Sequence, residues 1–171
     1  MAIAGAFEAT GMSLRAAPIA VLANPPGAGT TPAVVAYIGA LTSLDMLDKQ
    51  GRGWGLISVD PSRGVVRRIP LVASINGTLV PALAVEMLRV AMRTPSLQLA
   101  VSGRAVQALS VGELNVPTEA DGAVRVYFSP SRPDRFVSAV DVLEGRVDAA
   151  QFRRQLVLIG PTATGLNDNQ A

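Results

Sequence analysis

The chain reads as an α/β domain, a layered sheet with a buried parallel strand, an antiparallel hairpin portion and helices packed on it. Three observations carry that reading. Short apolar runs of strand length alternate with segments of helical pattern, turn-forming Gly, Asp and Pro separate them, and the apolar residues are overwhelmingly aliphatic. Of 171 residues, 49% are hydrophobic and only 4% aromatic, so Ala, Val, Leu and Ile must build the interior. Charged residues make up 16%, too few for a disordered chain, and the length suits one ordinary core, so a single domain over residues 1–171 is expected.

Taken in order, Ala2 to Thr10 reads as the tail of a helix stopped by Gly11. Pro18 to Ala23 (PIAVLA) reads as a buried apolar strand, and PPGAGTTP after it as a loop. That loop lacks the Gly-Lys-Ser/Thr ending of a phosphate loop. No charged residue occurs between Arg15 and Asp45, yet Pro18, Pro25, Pro26 and Pro32 divide the stretch into pieces too short for a membrane span of about 20 helical residues. Met1 to Phe7 has neither the basic start nor the apolar body of a secretory signal, so neither export signal nor anchor is expected within the chain.

Ser43 to Lys49 fits a short helix. Gly53 to Val59 and Val65 to Val72 fit two strands joined through the turn-forming DPSRG, which predicts a hairpin. Leu79 to Arg93 predicts a helix with Thr78 as cap, Pro81 in its first turn, and Glu86, Arg89 and Arg93 as a narrow polar stripe. Leu97 to Val101 alternates as a strand, and further β segments follow to Val116, separated by Gly103 and Gly112. Asp121-Gly122 opens a strand over Ala123 to Phe128. After the loop SPSRPDR, Ser138 to Glu144 predicts a helix ended by Gly145, Asp148 to Gln155 a second, and Leu156 to Ile159 the interior parallel strand.

The composition excludes several chemistries. The chain has no cysteine and no histidine, which removes thiol nucleophiles, imidazole bases and the usual zinc and transition-metal ligands. No glycosidase-like carboxylate pair stands out, so no catalytic residue, metal or cofactor is assigned. A net charge of +2 without basic-aromatic clusters speaks against a nucleic-acid partner.

Two groups of residues are candidates for ligand binding. The segment GPTATGLND places Gly160 at the end of the expected strand, with the hydroxyls of Thr162 and Thr164 and the carboxylate of Asp168 beyond it, equipment for a small polar ligand. The same residues also suit a plain strand-ending turn with Asp168 accepting from local backbone. Arg67 and Arg68, adjacent on a strand, must point to opposite faces. They suit an anionic ligand, or one of them a structural pairing with Asp60 across the hairpin.

The residues so assembled resemble the CHASE-type sensory domain, type two. The likeness rests on DPSRGVVRRIPL (Asp60 to Leu71) with PALAVEML (Pro81 to Leu88) behind it, on the Asp-Gly turn and strand over Asp121 to Phe128, and on SAVDVLEGRV followed by QLVLIGPTATGLND. Together these blocks cover most of residues 53–168. The resemblance implies a non-catalytic, extracytoplasmic input domain of bacterial receptor adenylate cyclases, histidine kinases or serine/threonine kinases, facing the periplasm. It further implies a small-molecule or ionic stimulus, a homodimer in the parent receptor, and membrane attachment through flanking helices outside this chain. Relatives begin with a strand, an acidic turn and a helix upstream of the DPSRG-like block, so the chain is expected to be the carboxyl-terminal portion of the module, with one sheet edge open. The residues alone leave two other readings: a soluble α/β enzyme or nucleotide-binding domain using the Gly160 turn, and a structural or assembly module.

Overall fold

The computed structural model describes residues 1–6, 8, 16–24, 31–58, 66–130 and 132–160. The chain divides into two compact units, Met1–Val126 and Tyr127–Ala171. Mixed parallel and antiparallel sheets with helices make it α/β, as expected.

In the first unit the strands are β1 (Ala2–Ala6), β2 (Ile19–Asn24), β3 (Ala36–Tyr37), β4 (Gly39–Leu41), β5 (Gly55–Leu56), β6 (Arg68–Pro70), β7 (Val72–Ile75), β8 (Thr78–Pro81), β9 (Leu97–Ser102), β10 (Ala105–Val111), β11 (Leu114–Pro117) and β12 (Ala123–Arg125). Helix α1 (Asp45–Asp48) precedes β5, and α2 (Leu83–Ala91) follows β8. Among the described residues the strands form sheets in the orders β11-β10-β9-β2, β4-β1-β5, β3-β7-β8 and β12-β6.

Two apolar clusters hold this unit together. The larger is the inner face of β9 and β10, where Leu97, Leu99, Val101, Val106, Leu109 and Val111 are buried and pack with Val85 of α2 and with Leu71 and Val72. Period-2 alternation produces that face directly: along β9 Gln98 and Ser102 stay exposed while their neighbours are buried. The second cluster joins Ile3, Tyr37, Trp54, Leu56, Ile75 and Val80.

Several expectations are corrected. The predicted amino-terminal helix is instead strand β1, paired in parallel with β5 and antiparallel with β4. Local alanine content favours helix, but burial of Ile3 and pairing on both sides override it, a common outcome for short segments. The predicted strand at Pro18 to Ala23 forms as β2, in parallel register with β9, but it lies at the sheet edge with Val21 and Leu22 exposed rather than buried. The segments on either side of DPSRG do not pair with each other among the described residues: β5 pairs with β1, and β6 with β12. Asp60 and the turn itself lie outside the described residues.

The predicted Leu79 to Arg93 helix begins four residues late, at Leu83, because Thr78–Pro81 is strand β8. The cause is Asn76-Gly77, both with positive φ, 47° and 80°, between paired Ile75 and Thr78. This is the two-residue hairpin turn whose backbone twist matches the strands it joins, and it returns the chain along β7 before a helix can start. Thr78 is therefore a strand residue, and Ala82 occupies the N-cap position without a side-chain cap bond. The strands β9, β10, β11 and β12 and the short helix α1 form where expected.

In the second unit, helix α3 (Ala139–Leu143) stops before Gly145 as predicted, with φ of 71° at that glycine. The second predicted helix is reduced to a 3-10 turn, Ala149–Phe152, capped by Asp148, whose carboxylate accepts from the Ala150 N–H at 2.8 Å. Leu156–Ile159 is not the buried parallel strand expected; it has no ladder partner among the described residues and Ile159 is 94% exposed. Its apolar run carries no alternation, so only covering layers could have made it a strand. Buried strands in parallel pairs are instead β5, with Gly55 and Leu56 both buried, and β7, with Val72, Ala73 and Ile75 buried.

Candidate functional site

The residues chosen from sequence have unequal fates. Gly160, in the second unit, is exposed, in coil, with nothing near the position a Cβ would take. Thr162, Thr164 and Asp168 lie outside the described residues. Arg67 and Arg68 lie in the first unit at the start of β6, both exposed.

Arg68 is committed to carboxylates of its own chain. Its Nη2 donates to both oxygens of Asp121 at 3.0 and 2.9 Å and pairs with Glu119. The register explains why: Arg68 sits opposite Arg125 on β12, and Glu119 pairs with both arginines, offsetting their mutual repulsion. Hydrogen bonding to Asp121 and Glu119 raises the Arg68 guanidinium above its ordinary range. Arg68 thus takes a structural pairing with Asp121 and Glu119, not the expected one with Asp60, which lies outside the described residues. The Arg67 carbonyl accepts the Val126 N–H at 2.9 Å, extending the β6–β12 ladder.

A different group of residues forms a pocket. Ala17 and Pro18 before β2, Arg52 and Trp54 before β5, and Glu86 and Arg89 of α2 surround a cavity of about 230 Å³. Backbone bonds tie these walls to the sheets: the Leu97 N–H donates to the Pro18 carbonyl at 2.9 Å, and Ala82 N–H, at the head of α2, to Leu71 at 2.8 Å. The lead-in to β5 runs so close to α2 that a Cβ on Gly55 would meet the Leu83 backbone, and one on Gly53 would overlap the Glu86 carboxylate. Glycines at 53 and 55 are therefore required by space, not by conformation.

Glu86 is the one charged residue in the buried core of the described residues, 2% exposed. A carboxylate so placed needs a full set of partners. Arg89, one helical turn on, supplies them: its Nε donates to Glu86 Oε2 and its Nη2 to Oε1, both at 2.7 Å. Its Nη1 donates to the Thr94 carbonyl at 2.9 Å, beyond the helix end. The side chains are 3% and 14% exposed for Glu86 and Arg89. Hydrogen bonding to Glu86 raises the Arg89 guanidinium pKa, against an opposing push from burial.

Trp54, the sole tryptophan, is buried and its indole N–H donates to Asp48 Oδ1 at 3.1 Å, so α1 positions one wall of the pocket. Sequence reading placed Glu86, Arg89 and Arg93 on one exposed stripe. The structure separates them: Glu86 and Arg89 turn inward as a pair, while Arg93 lies past the helix end with φ of 56°. The available signal was an i, i+3 acid–base pair in an otherwise apolar helix, together with glycines on both sides of the single tryptophan.

Among the described residues no group of three or more acidic side chains could hold a metal ion, and no helix is long and apolar enough to cross a membrane. Fold and geometry define a mixed α/β domain with a small pocket lined by an internal ion pair. A family model described as the CHASE2 domain matches residues 7–171, and the chain belongs to this family of extracytoplasmic sensory domains. The match reaches well upstream of Gly53, where the sequence resemblance began. No curated protein and no solved structure matches the chain.

Proposed function

We propose that the chain is the ligand-sensing input domain of a bacterial transmembrane signalling receptor, acting at the periplasmic face, with a cyclase or kinase output domain elsewhere in the parent protein. The observation that carries the reading is family membership across nearly the whole chain. The pocket supports it physically. Its walls come from the approaches to β2 and β5 and from α2, so an occupant that prefers one spacing of these elements shifts the balance between arrangements of the domain. The domain itself carries out no bond-making step; with neither histidine nor cysteine, it acts by binding. By analogy with the receptors the family resemblance implies, the domain is proposed to act as a homodimer.

The test uses the parent receptor. Hydrophobic spans flanking this domain in its reading frame, and output activity that changes on adding a stimulus, are expected. A parent frame with no such span, or turnover of a metabolite by the purified domain, overturns the proposal.

A further inference from the structure

The pocket's charge and lining select a ligand class, an inference that rests on the sensing reading above. The volume of about 230 Å³ lies below the roughly 300–1,000 Å³ of pockets for drug-sized molecules, which suits a small metabolite. Glu86 and Arg89 cancel each other as a bidentate pair. Arg52 adds a positive charge on the rim, and among the described residues it has no hydrogen-bond or ion-pair partner. The lining thus carries one uncompensated positive charge. Of the five N–H donors of a guanidinium, Arg89 commits three to Glu86 and Thr94, which leaves two over. The remaining walls, Ala17, Pro18 and Trp54, are apolar.

One negative charge and a short carbon body match this lining. Guanidinium groups take either anion, but phosphate matches the lining less well, because it is strongly hydrated, partly dianionic at neutral pH and has no carbon body to lie against Trp54 and Pro18. We propose that the pocket binds a small monocarboxylate, with Arg52 taking the carboxylate in a charge-assisted contact and Trp54 and Pro18 covering the carbon body.

Trp54 reports on the site, since no other tryptophan contributes to the emission. Titrating the 171-residue chain with sodium butyrate at fixed ionic strength is expected to produce a saturable change in tryptophan fluorescence. Arg52→Ala weakens that binding by at least about tenfold, because a charged hydrogen bond is lost. Arg52→Lys restores part of it, and Arg104→Ala, which removes an exposed cation away from the pocket lining, leaves it unchanged. Equal melting temperatures across the variants make the comparison one of binding. Inorganic phosphate and chloride are expected to give no saturable change. Saturation by phosphate but not butyrate overturns the assignment, as does equal butyrate affinity in the parent chain and Arg52→Ala, or no saturable change in the folded chain. Those failures leave the sensing reading intact, because it is read from the receptor's output and not from carboxylate affinity.

Discussion

Replacing Arg89 by methionine isolates the ion pair that lines the pocket. The substitution keeps the aliphatic stem and helix propensity but removes three donors: two to the Glu86 carboxylate at 2.7 Å and one to the Thr94 carbonyl at 2.9 Å. What remains is a carboxylate only 3% exposed, with its main counter-charge gone. Breaking a buried pair from one side costs about 3–5 kcal/mol, and both partners are buried enough that solvent screening takes little off that figure. For a chain of this length the loss corresponds to a fall in melting temperature of roughly 10 °C. Urea unfolding followed by Trp54 emission measures it directly, since that residue lies in the same pocket and unfolds with the same unit. The double variant Glu86→Leu, Arg89→Met is expected to recover most of the loss, because an apolar pair leaves no charge stranded. A single variant within about 0.5 kcal/mol of the parent chain would refute the reasoning, since Glu86 would then be finding water or another partner.

Further outcomes follow from the same geometry. Gly53→Ala drives a Cβ into the Glu86 carboxylate and is expected to lower stability by about 1–3 kcal/mol in the same urea assay, whereas alanine at Gly160, with open space around it, changes it by under about 0.5 kcal/mol. Arg68→Ala removes pairings that are 42% and 39% exposed, so it is expected to cost under about 1 kcal/mol, with the difference shrinking in high salt; a larger, salt-independent loss contradicts the exposed placement. Because the folded-state pKa of Arg89 is raised, its contribution is present in full below the unfolded guanidinium value and is lost only as pH rises through the raised one. The stability gap between the parent chain and Arg89→Met should therefore stay constant from about pH 7 to pH 10; a gap that closes across that window would assign the stabilisation to another group.

Sequence pattern was most informative where local chemistry and tertiary structure agree. The alternation Leu97, Leu99, Val101 marked β9 and its buried face, and Gly103 and Gly112 marked the turns around β10, because strand periodicity and tight-turn chemistry are properties of a few consecutive residues. Asn76-Gly77 is equally local, but a helical pattern also runs through Thr78–Pro81; the hairpin signal wins there because it reverses the chain before the helix can nucleate.

The candidate site was less legible. Arg68 could be assigned a carboxylate, but choosing Asp121 and Glu119 required knowing that β6 pairs with β12, more than 50 residues along the chain. Glu86 looked like a surface charge, since helical spacing says which residues share a stripe and nothing of what covers it.

The amino-acid order by itself determined the α/β class, the family, the strands of the main sheet and an absence of imidazole and thiol chemistry. Those depend on composition, periodicity and motif order. Only the tertiary structure decided that β1 is a strand, that Leu156–Ile159 is exposed, and that Gly53, Trp54 and Glu86 meet in one pocket. Each of these depends on contacts between segments far apart in the chain, where the free energy of burying a side chain or pairing a strand edge is set by the neighbour that arrives and not by the residue itself.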